Sequence, residues 1–203
     1  MKTHTNPDGS TVLVPDSAAI GPRARIGPRA KIGEWARIFA DVRIGEGVMV
    51  GEGVRIGPQA SIGPRASIGE RAEIGARAVV GEQAVIGGGA WIGARAVVGE
   101  KARVGGGATI GGGATIGGGA TIGGGATIGG GAVIQTLFRT DGCWFALVPL
   151  ADGSHRVTAD CRDFSLVEAR KHWTRARGGT PLGDETLGIL NAFDALIARK
   201  IEA

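Results

Sequence analysis

An aliphatic residue returns at every sixth position from Ile20 to Ile134 without a gap. Except for Phe39, the residue after each of these anchors up to Ile128 is glycine, and a small residue, alanine or valine, stands four positions after the anchor. A fixed period of this kind is the signature of a repeat architecture, in which each short unit stacks on its neighbours to share one core. The repeat therefore predicts a solenoid over residues 20–134.

The repeat unit also fits a short β-strand. Alternate side chains of a strand point to opposite faces, so in Ala24-Arg25-Ile26-Gly27 the alanine and isoleucine point inward and the arginine points outward. This pattern over residues 20–134 resembles the hexapeptide-repeat superfamily. The resemblance implies an all-β solenoid, the left-handed parallel β-helix, with three strands per triangular coil and roughly six coils.

Both flanks depart from the repeat. Residues 1–19 are predicted to form an N-terminal hairpin or cap, with strands Lys2–Thr5 and Ser10–Val14 around the turn signal Asn6-Pro7-Asp8-Gly9. The hairpin either covers the open edge of the first coil or pairs with another subunit.

Residues 135–203 are predicted to form a small α+β domain. Turn signals bound three strands near 135–140, 143–150 and 154–160. Ser165 and Glu168 form a capping box that opens a helix to about Arg175, and apolar residues from Leu187 to Ile201 are spaced as in a last amphipathic helix.

The sequence offers little for catalysis. The superfamily includes acyltransferases with a histidine base on the helix or an inserted loop, and carbonic anhydrases with a histidine-bound metal. Here the unbroken period leaves no room for such a loop, and the three histidines, His4, His155 and His172, lie outside the array. We therefore expect no catalytic residues, no cofactor and no metal, and we do not expect an enzyme.

Two cysteines raise alternatives in the C-terminal domain. Cys143, His155, Cys161 and His172 carry zinc-type ligands, but their spacing matches no zinc module. Cys143 and Cys161 lie opposite each other if the turn at Asp152-Gly153 closes a three-residue loop, so an oxidant could join them.

An apolar belt indicates a subunit contact. The outward residue before the anchor becomes Val79, Val85, Trp91 and Val97 midway along the array. An outward apolar patch that includes tryptophan is typical of a surface that another subunit covers. The β-propensity of these residues on a solvent-facing strand would give the same pattern. We expect a homo-oligomer. It is either a lateral trimer, as the resemblance implies, or an end-to-end fibre through open strand edges.

Outward cations precede the anchors early in the array. They are Arg25, Lys31, Arg37, Arg43 and Arg55, a candidate anion-binding surface or simply a solvated face. The formal net charge of +4 does not favour a nucleic-acid partner.

These observations favour a non-enzymatic structural protein that self-assembles as a scaffold, filament or trimer. Its C-terminal domain would be a cap or a docking surface for a further partner. The alternatives are an unconventional acyltransferase-like protein and a polyanion-binding module. The first twenty residues lack the apolar core of a secretory signal, and no apolar run approaches the ~20 residues that span a bilayer. We therefore expect a cytoplasmic protein without a membrane partner, and leave extracellular or virion incorporation open.

Overall fold

The computed structural model describes residues 1–150, 154–159 and 162–201. The chain divides into two compact units, Met1–Val133 and Ile134–Ala203. None of the helices in the described ranges is long and apolar enough to cross a membrane.

The first unit opens with the predicted hairpin. Strand β1 (Lys2–Thr5) pairs antiparallel with β2 (Thr11–Val14). The turn is closed because the Asn6 amide donates to the Ser10 carbonyl at 2.8 Å and the Asp8 carboxylate accepts from the Ser10 amide at 2.9 Å. Gly9 has a φ of +85°, a conformation that glycine adopts without steric cost. The hairpin prediction is confirmed.

The repeat forms a parallel β-solenoid of about six coils, which confirms the predicted fold class. Its short strands, β3 to β21, follow one another around three faces, and each pairs with the third strand before or after it along the chain. The first face holds β4 (Arg25–Ile26), β7 (Arg43–Ile44), β10 (Ser61–Ile62), β13 (Val79–Val80), β16 (Val97–Val98) and β19 (Thr115–Ile116). The second holds β5 (Lys31–Ile32), β8 (Met49–Val50), β11 (Ser67–Ile68), β14 (Val85–Ile86), β17 (Arg103–Val104) and β20 (Thr121–Ile122). The third holds β3 (Ala19–Ile20), β6 (Arg37–Ile38), β9 (Arg55–Ile56), β12 (Glu73–Ile74), β15 (Trp91–Ile92), β18 (Thr109–Ile110) and β21 (Thr127–Ile128).

Alternation along each strand builds the core. In β11 the anchor Ile68 is buried and Ser67 faces outward, and Ala66 just before the strand is buried as well. The main chain of one coil bonds to the next, as where the Ser67 amide donates to the Ala84 carbonyl at 2.9 Å. The core of the solenoid is therefore a narrow column of alanine, valine and isoleucine.

The glycine after each anchor is required by the close approach of successive coils. A Cβ added at the glycines of this position between Gly21 and Gly111 would lie 2.4 to 2.7 Å from a backbone atom of the next coil. Phe39 is the one residue with a side chain at this position. The hydrogen bond from its backbone amide to the Ile56 carbonyl is 3.0 Å long, whereas the equivalent bond from Gly75 to Ile92 is 2.7 Å. Nearly half of its side chain is exposed. The repeat thus tolerates a side chain here with a slightly wider ladder.

The corners of the coils use left-handed backbone conformations even without glycine. Eleven non-glycine corner residues have φ between 55° and 62°. Such a conformation costs roughly 1–2 kcal/mol for an L-residue. A main-chain hydrogen bond helps to offset this, as where the Asp41 amide donates to the Pro22 carbonyl at 3.1 Å and the Arg77 amide to the Pro58 carbonyl at 3.0 Å.

The second unit contains an antiparallel sheet and two helices. Strands β22 (Val133–Phe138), β23 (Trp144–Pro149), β24 (His155–Ala159) and β25 (Arg162–Ser165) pair in chain order. The helices are α1 (Leu166–Arg177) and α2 (Pro181–Ile201). The core includes Phe145, Trp173, Leu190 and Phe193.

The structure differs from the sequence prediction in two of these elements. The predicted capping box is present at Ser165 and Glu168, but a fourth strand, β25, directly precedes it. The last helix begins at Pro181, ahead of the apolar spacing that starts at Leu187. Proline suits the first turn of a helix, and the Thr180 hydroxyl caps that turn by accepting from the Gly183 amide at 3.1 Å.

Candidate functional site

The apolar belt is exposed, but it is split between the three faces of the solenoid. Val79 and Val97 are neighbours on the first face, Val85 lies on the second face and Trp91 on the third. In chain order from Val79 to Val97, the four side chains are 41%, 36%, 43% and 37% exposed. A flat partner surface contacts one face at a time, so these four residues do not form a single patch. The subunit contact remains a prediction.

The five predicted anion-binding cations are also divided between faces. Arg25 stacks on Arg43 and Arg37 stacks on Arg55, whereas Lys31 pairs with Met49. Arg55 lies 3.4 Å from the Glu73 carboxylate, and the other four form no ion pair in the described part of the chain. The result is two short arginine ladders on different faces rather than one cationic wall. Anion binding by these residues remains a prediction.

The turn of the hairpin lies beside the first of these ladders. Pro7, Arg23, Arg25, Asp41 and Arg43 line a recess of about 160 Å³. Arg23 binds the Asp41 carboxylate with both ends of its guanidinium, at 2.8 and 2.7 Å. That hydrogen bond lowers the pKa of Asp41, so the carboxylate stays ionised and neutralises Arg23. Arg25 and Arg43 are left as the uncompensated charges of the recess.

Polar side chains of the hairpin bond to the first coil. The Asn6 amide group donates to the Ile26 carbonyl at 2.9 Å and accepts from the Ile26 amide at 2.8 Å, as a strand partner would. His4 Nε2 lies 3.1 Å from the Ala24 carbonyl oxygen, and the Lys2 ammonium donates to the Ala18 carbonyl at 2.7 Å. The open edge of the first coil is therefore partly covered by this hairpin.

The contact of His4 with the Ala24 carbonyl indicates which ring nitrogen carries a hydrogen. A carbonyl oxygen only accepts, so Nε2 of His4 must carry the hydrogen. In the neutral ring Nδ1 then carries no hydrogen. His4 is half-buried and is the one histidine of the first unit. Sequence reasoning missed this residue because it looked for a base within the repeat.

The second unit has a larger groove, of about 1010 Å³. Arg139, Cys143, Arg162, His172, Trp173 and Arg177 are among its lining residues. Arg162 Nη1 lies 2.6 Å from His172 Nε2. The His172 ring stacks on Phe164, with centroids 5.0 Å apart. Basic residues are dense between Arg170 and Arg177, and this run was the available sequence signal for the groove.

Arg139 is the buried cation of the groove. It donates to both Asp141 carboxylate oxygens, at 2.9 and 2.6 Å, and to the Thr186 hydroxyl at 3.0 Å. These bonds lower the pKa of Asp141 to about 2, because the arginine favours the ionised carboxylate, and the Cys143 amide adds to the effect. The pair joins the turn between β22 and β23 to helix α2.

The sequence raised two possibilities for the cysteines and histidines of this domain, a metal site and a disulfide. Among the described residues, no three histidine, cysteine or acidic side chains form a group that could hold a metal ion. Cys143 is described and partly buried, but Cys161 lies outside the described residues, and so does the suggested pairing of Cys143 with Cys161.

Comparisons with known proteins identify the repeat. Residues 47–82 match the family described as bacterial transferase hexapeptide (six repeats). No curated protein matches the chain. A hexapeptide transferase family protein from Anaplasma phagocytophilum is similar in structure, with 23% identity and a TM-score of 0.55, over 60% of this chain and 75% of that one.

Two further solved structures are less similar. One is the acetyltransferase domain of PglB from Neisseria gonorrhoeae, with 21% identity, a TM-score of 0.36 and coverage of 59% of this chain and 51% of that one. The other is the UDP-N-acetylglucosamine O-acyltransferase LpxA from Moraxella catarrhalis, with 21% identity, a TM-score of 0.29 and coverage of 59% and 61%. The chain thus spans less than two thirds of either protein.

These comparisons overturn the prediction of a non-enzymatic structural protein that assembles into scaffolds or filaments. The family whose model matches residues 47–82 is described as a transferase family. The expectation that the chain is not an enzyme is wrong for the same reason. Its error lay in treating a repeat without histidine as a molecule without a base, although a flanking element can place one on the solenoid.

Proposed function

We propose that this chain, a hexapeptide-repeat protein with a parallel β-solenoid, is an unconventional acyltransferase. The observation that carries the proposal is the match of residues 47–82, in the middle of an unbroken solenoid, to a transferase family. The reaction class is the transfer of an acyl group from a thioester, such as acetyl coenzyme A, to a hydroxyl or amine. The carbon–sulfur bond breaks, a carbon–oxygen or carbon–nitrogen bond forms, and the acceptor proton passes through a base to the leaving thiolate.

The best candidate for the general base is His4. A base must present an unprotonated nitrogen, and the bond of Nε2 to the Ala24 carbonyl leaves Nδ1 in that state. The two bonds between Asn6 and Ile26 hold β1 against the first coil and so fix the position of His4. The hairpin would therefore supply what the repeat lacks.

His172 is a weaker candidate for this role. Arginine cannot accept a hydrogen bond or lose its proton at neutral pH, so Arg162 occupies the Nε2 lone pair of His172. In the neutral ring the hydrogen then lies on Nδ1, so each ring nitrogen already has a hydrogen or a hydrogen-bond donor.

We further propose that the protein is a homo-oligomer, and specifically a lateral trimer in which the apolar belt contributes to the contacts. Each protomer of a three-fold ring presents two different surfaces to its two neighbours. The apolar belt is distributed over all three faces of the solenoid, with Val79 and Val97 on the first, Val85 on the second and Trp91 on the third. Any two faces that contact neighbouring protomers would therefore present exposed apolar side chains.

The acyltransferase proposal is tested by thiol release from acetyl coenzyme A in the presence of a panel of amines and alcohols. His4→Gln retains a donor for the Ala24 carbonyl but removes the base, and should lower the acceptor-dependent rate about 10²- to 10⁴-fold. His155→Gln, in β24 of the second unit, is the matched control and should leave the rate unchanged.

Two results would contradict the proposal. Absence of acceptor-dependent thiol release, together with absence of acetyl coenzyme A binding by calorimetry, would show that the chain is not an acyltransferase. Full activity in His4→Gln would remove His4 as the base.

A further inference from the structure

The groove of the second unit has a basic described lining. Its described lining contains three arginines, Arg139, Arg162 and Arg177, and no carboxylate. On the other side of α1 a second recess is lined by Arg170, Lys171, His172, Thr174 and Arg175. Helix α1 therefore presents cations to both sides, with His172 shared between them.

The arginines of the groove differ in how they are neutralised. Arg139 is 6% exposed and is held by the Asp141 carboxylate. Arg162 is exposed, and its described side-chain partner is the ring of His172. Arg177 is exposed and forms no ion pair with a described carboxylate; its charge contributes to the lowered pKa of Asp141. Within the described residues, the guanidinium groups of Arg162 and Arg177 thus have no ion-paired carboxylate.

The other residues that line the groove indicate what kind of ligand it could bind. His172 and Trp173 contribute an aromatic wall, with ring centroids 5.1 Å apart and planes at 89°. Pro181 and Leu182 belong to the first turn of α2, and the dipole of this long helix adds positive potential at that end. The volume of about 1010 Å³ is that of a small-molecule pocket rather than of a flat polymer surface.

We propose that this groove binds a phosphorylated small molecule, with phosphate oxygens held by Arg162 and Arg177 and the organic part against His172 and Trp173. A phosphate monoester carries close to two negative charges at neutral pH, which matches the two guanidinium groups that pair with no described carboxylate. Arginine binds phosphate with paired, charge-assisted hydrogen bonds. All of these residues belong to the second unit, so the proposed base His4 has no part in this site.

Calorimetric titration of the full chain with ADP and with inorganic pyrophosphate, at low ionic strength, tests the inference. Saturable binding with one site per chain is expected. Arg162→Gln and Arg177→Gln should each weaken it about tenfold or more, because each removes charge-assisted bonds. Arg103→Gln changes an exposed arginine of the solenoid and should leave the affinity unchanged.

A second measurement places the ligand without altering an arginine. In a Cys161→Ser background only Cys143 can be alkylated, and it lines the groove. Saturating pyrophosphate should slow its alkylation several-fold.

Three outcomes would overturn the inference. They are absence of saturable binding up to millimolar ADP and pyrophosphate, equal loss of affinity in Arg103→Gln, and unchanged Cys143 alkylation at saturating pyrophosphate. Tighter binding of the dicarboxylate malonate than of pyrophosphate would overturn the assignment to phosphate.

Discussion

Replacing Gly75 by alanine tests whether the glycine of the repeat is set by the contact between coils. The new Cβ would lie 2.4 Å from the Ala94 amide nitrogen and 2.6 Å from the Gly93 carbonyl carbon. Carbon atoms in ordinary contact are ~3.5–4.0 Å apart, so the two coils must shift apart locally, as they do where Phe39 places a side chain at this position. The 2.7 Å hydrogen bond from the Gly75 amide to the Ile92 carbonyl would then lengthen and weaken, as the equivalent 3.0 Å bond of Phe39 indicates.

The cost follows from these two effects. Overpacking of a well-packed interior costs about 1–3 kcal/mol, and a weakened main-chain hydrogen bond adds about 1 kcal/mol. For a chain of this size each kcal/mol lowers the melting temperature by about 2–4 °C. Gly75→Ala should therefore lower the Tm by roughly 4–16 °C in a far-ultraviolet circular dichroism melt.

Gly123→Ala is the matched control, because Gly123 occupies the same position of the hexad. A Cβ there meets no atom within 4 Å, and its φ lies outside the left-handed region. The substitution should leave stability unchanged or raise it by about 0.4–1 kcal/mol, since alanine restricts the unfolded chain. A Tm for Gly75→Ala within about 1 °C of the wild type, or an equal loss in Gly123→Ala, would refute the reasoning.

Three further predictions concern the core, the second unit and the assembly. Ile68→Asp should cost several kcal/mol and unfold much of the solenoid in chemical denaturation, because it buries an unpaired carboxylate. The outward substitution Ser67→Asp should be tolerated. Equal stability of the two variants would disprove the inward assignment of Ile68. The pKa of Asp141 is lowered to about 2, so its ionised pair with Arg139 stabilises the fold above the ordinary carboxyl pKa of 3.8 and this contribution is lost as the pH falls towards 2; Asp141→Asn should flatten the pH dependence of unfolding in that window, and an unchanged dependence would argue against the pair. Trp91→Glu should dissociate the proposed trimer in light scattering if the third face is buried in the subunit contact. Thr127→Glu, at an exposed residue of the same face, is the control. A wild-type protein that is monomeric at high micromolar concentration would exclude the contact.

The solenoid could be predicted from the sequence because its determinants are local and repeat. Each anchor, such as Ile68, lies next to an outward residue and two positions after a small one, so a few residues define both the strand and its inner face. The glycine pattern could be read as well, but its reason, the backbone of the neighbouring coil, is visible only in the structure.

The candidate sites could not be predicted in the same way, because they depend on contacts between distant residues. His4 bonds to Ala24 at a separation of 20 residues, and Arg139 bonds to Thr186 at a separation of 47. In each pair, the local sequence around one residue does not predict its distant partner. Strand β25 was missed for a related reason. It is only four residues long, and its last residue, Ser165, is also the cap of α1.

In the solenoid, each of the strands β3 to β21 pairs with the third strand before or after it, and this restricts how such a protein can change in length. Loss or gain of three consecutive hexads removes or adds a whole coil, and every later column of outward side chains keeps its face. A change of one hexad, such as a single Gly-Gly-Gly-Ala-Thr-Ile unit, preserves the inward core but turns everything beyond it by a third of a revolution. A gene that gains or loses single hexads can therefore keep a folded protein while exchanging its surfaces.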